Sequence, residues 1–335
     1  MSAIKPRILV IRGGAIGDFI LTLPAIAALR RQFPQAHLEV LGYPHIAQLA
    51  VAGGLADRVQ PIEARGLAGF FARGGTLEPD LMDYFSEFDL VISYLYDPDE
   101  IFKTNVCRCA VGQFIVGPHR PDEADRTHAT QVYLKPLERL AIFDADPVPR
   151  LALDPRPLGA AKRSEDGSTL NQLALHPGSG SEKKNWPETK WKELLRDLIN
   201  RTPINLLLIG GEVEADRLQN LVKVLPADRV QLAQNLPLCE LALRLKDCFG
   251  FIGHDSGITH LAAAVGLPTL ALWADTNEEI WRPLGQHVVV LREQGGLASL
   301  AVGPVMEQVA SLQVDNKFEQ DRSRLFHSRP PPPTS

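Results

Sequence analysis

Short runs of aliphatic and β-branched residues alternate with segments of helical periodicity along almost the whole chain of 335 residues. This alternation is typical of α/β proteins, in which parallel strands are joined by crossover helices. It predicts two groups of strands. The first group lies at residues 7–11, 37–41, 58–62, 90–94 and 114–117, and a helix follows at 131–142. The second group lies at residues 173–176, 205–209, 229–232, 250–253, 269–272 and 287–291.

The region between the two groups is rich in proline, glycine and charged residues, which is typical of a linker between domains. We therefore predict an N-terminal Rossmann-like domain at 1–150, a linker at 151–172 and a C-terminal Rossmann-like domain at 173–312. The chain closes on SRPPPPTS, so we expect a tail at 313–335 that is disordered at its end. The predicted fold class is α/β, with the two domains facing each other across a cleft.

Composition excludes several classes of protein. A hydrophobic content of 45% is that of a globular protein, and a net charge of -5 provides no general attraction for nucleic acid. The first residues lack a secretory leader pattern, and no apolar run is long enough to span a membrane, so we expect a cytoplasmic location. Peripheral contact with the inner membrane surface stays open. The four cysteines lack paired C-x-x-C spacing, and we expect neither a metal site nor a cofactor.

The stretch RGGAIGDFILTLPAI, residues 12–26, follows the first predicted strand, where a dinucleotide-binding protein carries its phosphate-binding turn. The G-x-G-x-x-G fingerprint would require glycine at position 12, which is Arg12. The carboxylate of Asp18 near the helix N-terminus would also repel a pyrophosphate. An NAD(P)-dependent oxidoreductase is therefore disfavoured. From the residues alone, Asp18 either stabilises the first helical turn or has a chemical role.

The segment GGAIGDFILTLPAIAALRRQFP, with its G-D and T-x-P spacing, resembles the opening motif of the family 9 glycosyltransferases, which include the lipopolysaccharide heptosyltransferases. The resemblance implies a GT-B fold, with the acceptor bound mainly by the N-terminal domain and the nucleotide-sugar by the C-terminal domain. It implies that Asp18 is the catalytic base. We also predict that Gly14 and Gly17 of the same turn belong to the acceptor site.

A second motif lies in IGHDSGITHLAAAVGLPTLALW, residues 252–273. Here a predicted strand leads into a helix that Ser256 can cap, and the backbone N–H groups of its first turn can bind an anion. The D-[ST]-G-x-[ST]-H pattern resembles that of the family, which assigns Asp255, Ser256, Gly257 and His260 to the donor site. By periodicity alone, His260 is either an ordinary surface histidine or a residue of the cleft.

The stretch HPGSGSEKKNWPETKW, residues 176–191, places small residues and two lysines after a strand. Ser179 and the glycines allow a close backbone approach, and a lysine can neutralise a leaving diphosphate. A charged surface loop is the alternative. The family carries a lysine shortly before W-P, for which Lys184 is the preferred match and Lys183 the reserve.

Two glutamates, Glu212 and Glu214, follow the next strand at the edge where α/β proteins bind ligands. Either can accept hydrogen bonds from a ribose or stabilise the first turn of a helix, and Glu214 is preferred. Between 90 and 130 the resemblance weakens, so the acceptor is not identified. Arg120 and Arg126 can meet an anionic acceptor or lie solvated at the surface.

These observations predict an inverting, metal-independent glycosyltransferase that moves heptose from ADP-heptose to a hydroxyl of a cell-envelope glycan or lipopolysaccharide-type acceptor. Asp18 would accept the hydroxyl proton, while Lys184 and the helix that begins near Ser256 would stabilise the leaving diphosphate. A non-catalytic nucleotide-sugar-binding protein is the alternative, and it would have no need of Asp18. The Asp-x-Asp letters of metal-dependent transferases occur at 97–99 and 144–146, where the composition favours turns.

Overall fold

The computed structural model describes residues 5–153 and 171–312, which form two compact units, each built around one parallel sheet. The first unit consists of residues 5–153 together with Pro237–Glu240 and Asn277–Leu284. The second consists of the other described residues after 170. The linker predicted at 151–172 lies largely outside the described residues, and the tail predicted at 313–335 lies wholly outside them.

The sheet of the first unit has five parallel strands in the order β3-β2-β1-β4-β5. Its strands are β1 (Arg7–Arg12), β2 (His37–Gly42), β3 (Arg58–Pro61), β4 (Leu90–Ser93) and β5 (Gln113–Val116). In the centre of the sheet, Val10 lies opposite Val40 on one side and Ile92 on the other. All three side chains are fully buried, which explains why β1 is apolar over most of its length.

Within residues 5–153, five α-helices accompany this sheet. They are α1 (Ile16–Gln32), α2 (Pro44–Ala52), α3 (Pro79–Ser86), α4 (Ile101–Cys107) and α5 (Ala129–Leu134). Helix α1 continues through Pro24, and because the residues around this proline are buried, packing keeps the helix intact despite the missing N–H donor. The helix predicted at 131–142 is present only in its first part: α5 ends at Leu134 and a 3-10 segment follows at Lys135–Leu140, since Pro136 cannot donate an α-helical hydrogen bond.

The sheet of the second unit has six parallel strands in the order β11-β10-β9-β6-β7-β8. Its strands are β6 (Gln172–His176), β7 (Asn205–Gly210), β8 (Val230–Gln234), β9 (Gly250–His254), β10 (Thr269–Trp273) and β11 (Val288–Arg292). The later helices are α6 (Glu188–Arg201), α7 (Ala215–Val222), α8 (Leu238–Lys246), α9 (Gly257–Ala264) and α10 (Glu278–Trp281), and residues 302–312 are also helical. Every strand predicted from the sequence is present, with small shifts at its ends.

The strand order of each sheet fixes where a ligand site is expected. In an open parallel sheet, ligands bind beyond the carboxyl ends of the strands, at the point where the order of connection reverses. That point lies between β1 and β4 in the first sheet and between β6 and β9 in the second. The residues that directly follow these four strands are therefore the first place to look for a site. No helix in the described part of the chain is both long and apolar enough to cross a lipid bilayer.

Candidate functional site

Asp18 lies in the first turn of α1, just beyond the end of β1. Its Oδ2 accepts a hydrogen bond from the backbone N–H of Ala15 at 3.0 Å, which closes the turn. The side chain is 33% exposed, so the carboxylate remains accessible to a bound molecule. The helix-stabilising role that the sequence left open is thus present, and it leaves room for a chemical role.

The turn before α1 depends on a glycine. Gly14 has a φ of +96°, and a Cβ at this position would lie 2.9 Å from Oδ2 of Asp18. A side chain here would therefore be strained and would strike the carboxylate. Gly17 lies in the first turn of α1 and is half-buried. The assignment of both glycines to an acceptor site stays a prediction.

The guanidinium of Arg12 lies next to Asp18 and is only 3% exposed. It donates hydrogen bonds to the carbonyl oxygens of His119 (2.9 Å), Tyr94 (3.3 Å) and Asp18 (3.3 Å). Its Nη2 lies 3.7 Å from Oδ1 of Asp18, and its Cζ lies 4.5 Å from the ring centre of Tyr133. In the sequence, Arg12 only argues against a dinucleotide site. The signal for its contacts with Asp18 was a charged residue at the end of an otherwise apolar strand.

Arg120 follows β5 at the same edge of the first sheet. Its side chain is 59% exposed and forms an ion pair with Glu123 at 2.7 Å. Its guanidinium also lies 5.3 Å from the ring centre of Trp281, the last residue of α10, which belongs to the first unit. The role of Arg120 in acceptor binding stays a prediction, supported by its exposure in the loop after β5, where Arg12 binds the carbonyl oxygen of His119.

His128 and Arg126 also contact the segment Asn277–Leu284 within the first unit. Nε2 of His128 donates to the carbonyl oxygen of Arg282 at 2.9 Å, while its Nδ1 accepts from the backbone N–H of Thr130 and caps α5. Arg126 lies 3.7 Å from Glu279. Burial lowers the pKa of His128, which favours the neutral ring that this pair of hydrogen bonds requires.

In the second unit, the loop after β6 brings a lysine to the motif that follows β9. Lys184 ends a 3-10 turn at Glu182–Lys184, and its Nζ lies 2.6 Å from Oδ2 of Asp255. The side chain of Asp255 is 9% exposed, whereas that of Lys184 is 37% exposed. Lys183 is exposed. Of the two lysines left open by the sequence, Lys184 is thus the one that contacts the motif.

Helix α9 begins directly after this aspartate. Oγ of Ser256 accepts from the backbone N–H of Thr259 at 3.4 Å, so Ser256 caps the helix as predicted. Gly257 is the first helical residue, and its backbone N–H belongs to the group that a helix leaves without an internal partner. His260 is buried, because α9 is buried over most of its length. The alternative of an ordinary surface histidine is therefore wrong.

The last residue of β6, His176, is buried beside the α9 cap, and its Nδ1 lies 3.4 Å from Oγ of Ser256. Burial lowers the pKa of His176 to about 4, although the nearby charge of Glu214 acts in the opposite direction. The ring is therefore neutral at pH 7.

Glu214 precedes α7 and accepts a hydrogen bond from the backbone N–H of Gly211 at 2.9 Å. It packs against the loop after β6: a Cβ on Gly178 would lie 2.3 Å from Cγ of Glu214. Only glycine leaves room for the glutamate at this point. Glu212, in contrast, is exposed. The contacts thus favour Glu214, as the sequence analysis did.

His254 ties the end of β9 to the loop after β6. Its Nε2 accepts from the backbone N–H of Trp186 at 2.9 Å, and its Nδ1 lies 3.2 Å from the carbonyl oxygen of Gly178. Burial lowers the pKa of His254 to about 3, so the ring is neutral and its proton lies on Nδ1. The two bonds fix the loop on either side of Lys184. His254 was not predicted from the sequence, although a histidine at the end of an apolar strand was a visible signal.

The same loop is held by two further side chains. Oγ of Ser179 lies 2.7 Å from Oδ1 of Asn185. Arg217 of α7 donates to the carbonyl oxygen of Pro177 at 2.8 Å and forms an ion pair with Glu182 at 2.6 Å. The loop is therefore ordered by local contacts, and the contact of Ser179 with a donor stays a prediction.

The Asp-x-Asp sequences have structural roles in this fold. The carboxylate of Asp97 accepts from the backbone N–H groups of Phe102 (3.1 Å) and Lys103 (2.9 Å) at the start of α4. Asp146 pairs with Arg150. Within residues 5–153 and 171–312, no three His, Cys, Asp or Glu side chains are grouped so that they could hold a metal ion.

The fold and the residues after β1, β6 and β9 lead to a known class of protein. The family model for glycosyltransferase family 9 (heptosyltransferase) matches residues 119–305, which is more than half of the chain. The chain therefore belongs to glycosyltransferase family 9, as its motifs implied.

Individual relatives agree with this assignment. Lipopolysaccharide heptosyltransferase 1 of Pseudomonas aeruginosa is 26% identical over 308 residues, which cover 85% of this chain and 83% of the relative. A family 9 glycosyltransferase from Veillonella parvula superposes with a TM-score of 0.72 at 19% identity, covering 94% of this chain and 99% of that one.

Escherichia coli heptosyltransferase WaaC, solved with ADP, gives a TM-score of 0.70 at 18% identity over 91% of this chain and 99% of that one. Its complex with ADP-2-deoxy-2-fluoro heptose gives 0.68 at 20% identity, with the same coverage. These likenesses confirm the predicted fold class, α/β with two Rossmann-like domains of the GT-B type.

Proposed function

We propose that the protein is an inverting, metal-independent heptosyltransferase that moves heptose from ADP-heptose to a hydroxyl of a cell-envelope glycan or lipopolysaccharide-type acceptor. Membership of family 9 supports the transferase activity. The observation that carries the proposal is the division of charge between the two sheets. A partly exposed carboxylate, Asp18, follows β1, and a lysine with a helix N-terminus follows β6 and β9.

The donor side is supported by relatives and by chemistry. WaaC is solved with ADP and with a fluorinated ADP-heptose, and the P. aeruginosa relative is named a heptosyltransferase. Lys184 supplies a positive charge that is paired with Asp255 in the structure. The diphosphate binds this ammonium and the N–H groups at the start of α9, which favour anions. Asp255 is then able to accept a hydrogen bond from the sugar.

The nucleoside is held on the other side of the same loop. Glu214 has one oxygen bonded to the N–H of Gly211, which leaves acceptor positions for the hydroxyl groups of a ribose. Because Gly178 has no side chain, Glu214 can lie against the loop and keep its carboxylate in this position.

The transfer itself is a single displacement. The acceptor oxygen attacks the anomeric carbon while the bond from that carbon to the diphosphate breaks, and the electron pair leaves with ADP. The hydroxyl proton goes to Asp18, and Lys184 and α9 stabilise the negative charge that develops on the leaving diphosphate. One displacement inverts the anomeric configuration, and the lysine takes the role that a divalent cation has in other transferases.

A non-catalytic nucleotide-sugar-binding protein is the second candidate, since the bond from Ala15 to Asp18 explains that aspartate without chemistry. The substitution Asp18→Asn separates the two functions because an amide oxygen can keep this bond while the amide cannot accept the proton. For the enzyme we expect kcat to fall about 10²- to 10⁴-fold.

The acceptor probe is heptose-free lipopolysaccharide, and the donor is ADP-heptose. Stabilisation of Asp18→Asn by ADP-heptose in a thermal shift assay should match that of the unchanged protein. Transfer at the original rate by Asp18→Asn would refute the role of Asp18 as the base, and no transfer by the unchanged protein would favour the binding protein.

A further inference from the structure

Strand β1 begins and ends with an arginine, and the two arginines lie in different environments. Arg12 is at the carboxyl end, beside the point where the connection order of the sheet reverses. It is almost completely buried, which is uncommon for a charged side chain unless it is paired. The proposed function uses Asp18 and leaves this neighbouring charge unexplained.

The hydrogen bonds of Arg12 join the three chain segments that meet around Asp18. The carbonyl oxygens that it contacts belong to the first turn of α1, to the residue after β4 and to the loop after β5. Its position over the Tyr133 ring adds a contact with α5. One side chain thus holds the segments that carry Asp18, Tyr94 and His119 in a fixed relation.

Arg12 also acts on the carboxylate itself. Its Nη2 lies 3.7 Å from Oδ1 of Asp18, while the N–H of Ala15 binds Oδ2 at 3.0 Å. The two oxygens are therefore constrained from two sides, which limits rotation of the carboxylate. In contrast, Nε of Arg12 is buried without a hydrogen-bond partner. In this position the guanidinium reaches Asp18 and the three carbonyl oxygens, while its Nε–H group makes no hydrogen bond.

We propose that Arg12 is a positioning residue for the transfer reaction: it holds the carboxylate of Asp18, and the segments around it, in the geometry needed to take the proton from the acceptor hydroxyl. The proposal rests on the proposed function, because it requires Asp18 to be the base. A base that is displaced by a fraction of an ångström loses rate although substrates still bind.

Arg7 provides a matched control on the same strand. It pairs with Glu39 at 3.0 Å and with Glu87 at 2.9 Å, and its guanidinium lies 5.2 Å from the ring centre of Phe88. Like Arg12, it has a buried Nε without a hydrogen-bond partner. Because Arg7 lies at the opposite end of β1, its loss should lower stability without changing the geometry of Asp18.

The experiment is a double-mutant cycle with Arg12→Met, Asp18→Asn and the double variant, beside Arg7→Met. Initial rates with ADP-heptose and heptose-free lipopolysaccharide give kcat and both KM values, and thermal unfolding gives Tm. We expect Arg12→Met to lower kcat about 10- to 100-fold with both KM values within about twofold. In the Asp18→Asn background, Arg12→Met should cause no further loss, because residues that act as a unit are not additive.

Arg7→Met should lower Tm with kcat within about twofold of the unchanged protein. Arg12→Lys keeps a charge near Asp18 but cannot reach the three carbonyls in the same way, so its kcat should be intermediate. If Arg12→Met does not fold, Arg12→Lys takes its place in the cycle, with the same absence of further loss expected in the Asp18→Asn background.

Two results overturn the inference while the proposed function stands: an equal loss of kcat from the Arg12 substitution in both backgrounds, or a loss of kcat in Arg7→Met as large as that in Arg12→Met. An unchanged kcat in Asp18→Asn alone would instead overturn the role of Asp18, and with it both proposals.

Discussion

Two charged side chains carry most of the chemistry that we propose: the carboxylate of Asp18 and the ammonium group of Lys184. In the structure, the ammonium group of Lys184 forms an ion pair with the carboxylate of Asp255 at 2.6 Å, and the aspartate is the more deeply buried partner. A buried ion pair contributes little net stability, but removal of one partner leaves an uncompensated charge. The pair is thus suited to exchange one partner for a diphosphate, because the ligand replaces a charge that the site already accommodates.

Lys184→Met should lower kcat/KM for ADP-heptose about 10²- to 10³-fold, since the leaving diphosphate loses its cationic partner. It should also lower Tm, because Asp255 remains buried without its counter-charge. Lys183→Met is the matched control: Lys183 is the neighbouring residue and is exposed, so we expect both quantities to stay close to those of the unchanged protein. Initial rates at varied donor concentration check this. A larger loss in Lys183→Met would reverse the assignment of the two lysines.

The sequence predicted the candidate site residues that belong to a local motif and missed those that depend on distant contacts. Ser256 was predicted as a helix cap because a cap requires only a strand end and a following helical pattern. The contact of His254 with Gly178 crosses 76 residues, and that of Arg12 with His119 crosses 107. Periodicity in a single sequence carries no information on such pairs. The same limit left Lys183 and Lys184 as alternatives.

At the level of elements, the loop after β6 is held by side chains from several other parts of the second unit. His254, Arg217 and Glu214 reach it from β9 and from the region of α7. Two positions in this loop require glycine for different reasons. Gly178 has no room for a side chain, whereas Gly180 has open space around it and a φ of +71°.

Gly178→Ala should displace Glu214 and raise the KM for ADP-heptose about 10- to 100-fold, which corresponds to the loss of charged hydrogen bonds to the ribose. Gly180→Ala, in the same loop, should affect Tm rather than KM, because its cost is backbone strain alone. The KM and Tm of the two variants test this. If both variants raised KM equally, the general shape of the loop would be responsible and not the position of Glu214.

Strands were predicted better than helices, and the reason is physical. A central parallel strand is apolar over most of its length, so strands such as β1 and β9 stand out from the sequence. The segment around Pro136 has the periodicity of a helix, but a missing donor converts its second half into a 3-10 turn. The correct helix end therefore depended on one residue rather than on the pattern.

For the molecule as a whole, two buried histidines make stability depend on pH. The pKa of His176 is lowered from 6.5 to about 4. Between these values the unfolded chain binds a proton that the folded chain does not, so the free energy of unfolding rises with pH. The contribution of His176 to the free energy of unfolding is fully present above pH 6.5, and it is lost as the pH falls towards 4. His254, with a pKa of about 3, acts in the same direction.

His176→Asn should therefore flatten the stability profile between pH 6.5 and about 4, where the histidine accounts for on the order of 3 kcal/mol. Asparagine can keep a polar contact with Ser256 but does not titrate in this range. Urea unfolding of the variant and of the unchanged protein at pH 7.5 and at pH 5 measures the effect. If the free energy of unfolding changed equally between the two pH values in both proteins, His176 would not be the source of the pH dependence.

The segment Asn277–Leu284 follows β10 in the chain but belongs to the first compact unit. A fragment that stopped after residue 153 would lack the tryptophan ring next to Arg120. It would also lack the carbonyl oxygen that accepts a hydrogen bond from His128. Anyone who builds chimaeras of this transferase must therefore transplant three pieces of chain together: residues 5–153, Pro237–Glu240 and Asn277–Leu284. A single crossover between residues 153 and 171 would give a hybrid in which Arg120 and His128 face foreign neighbours.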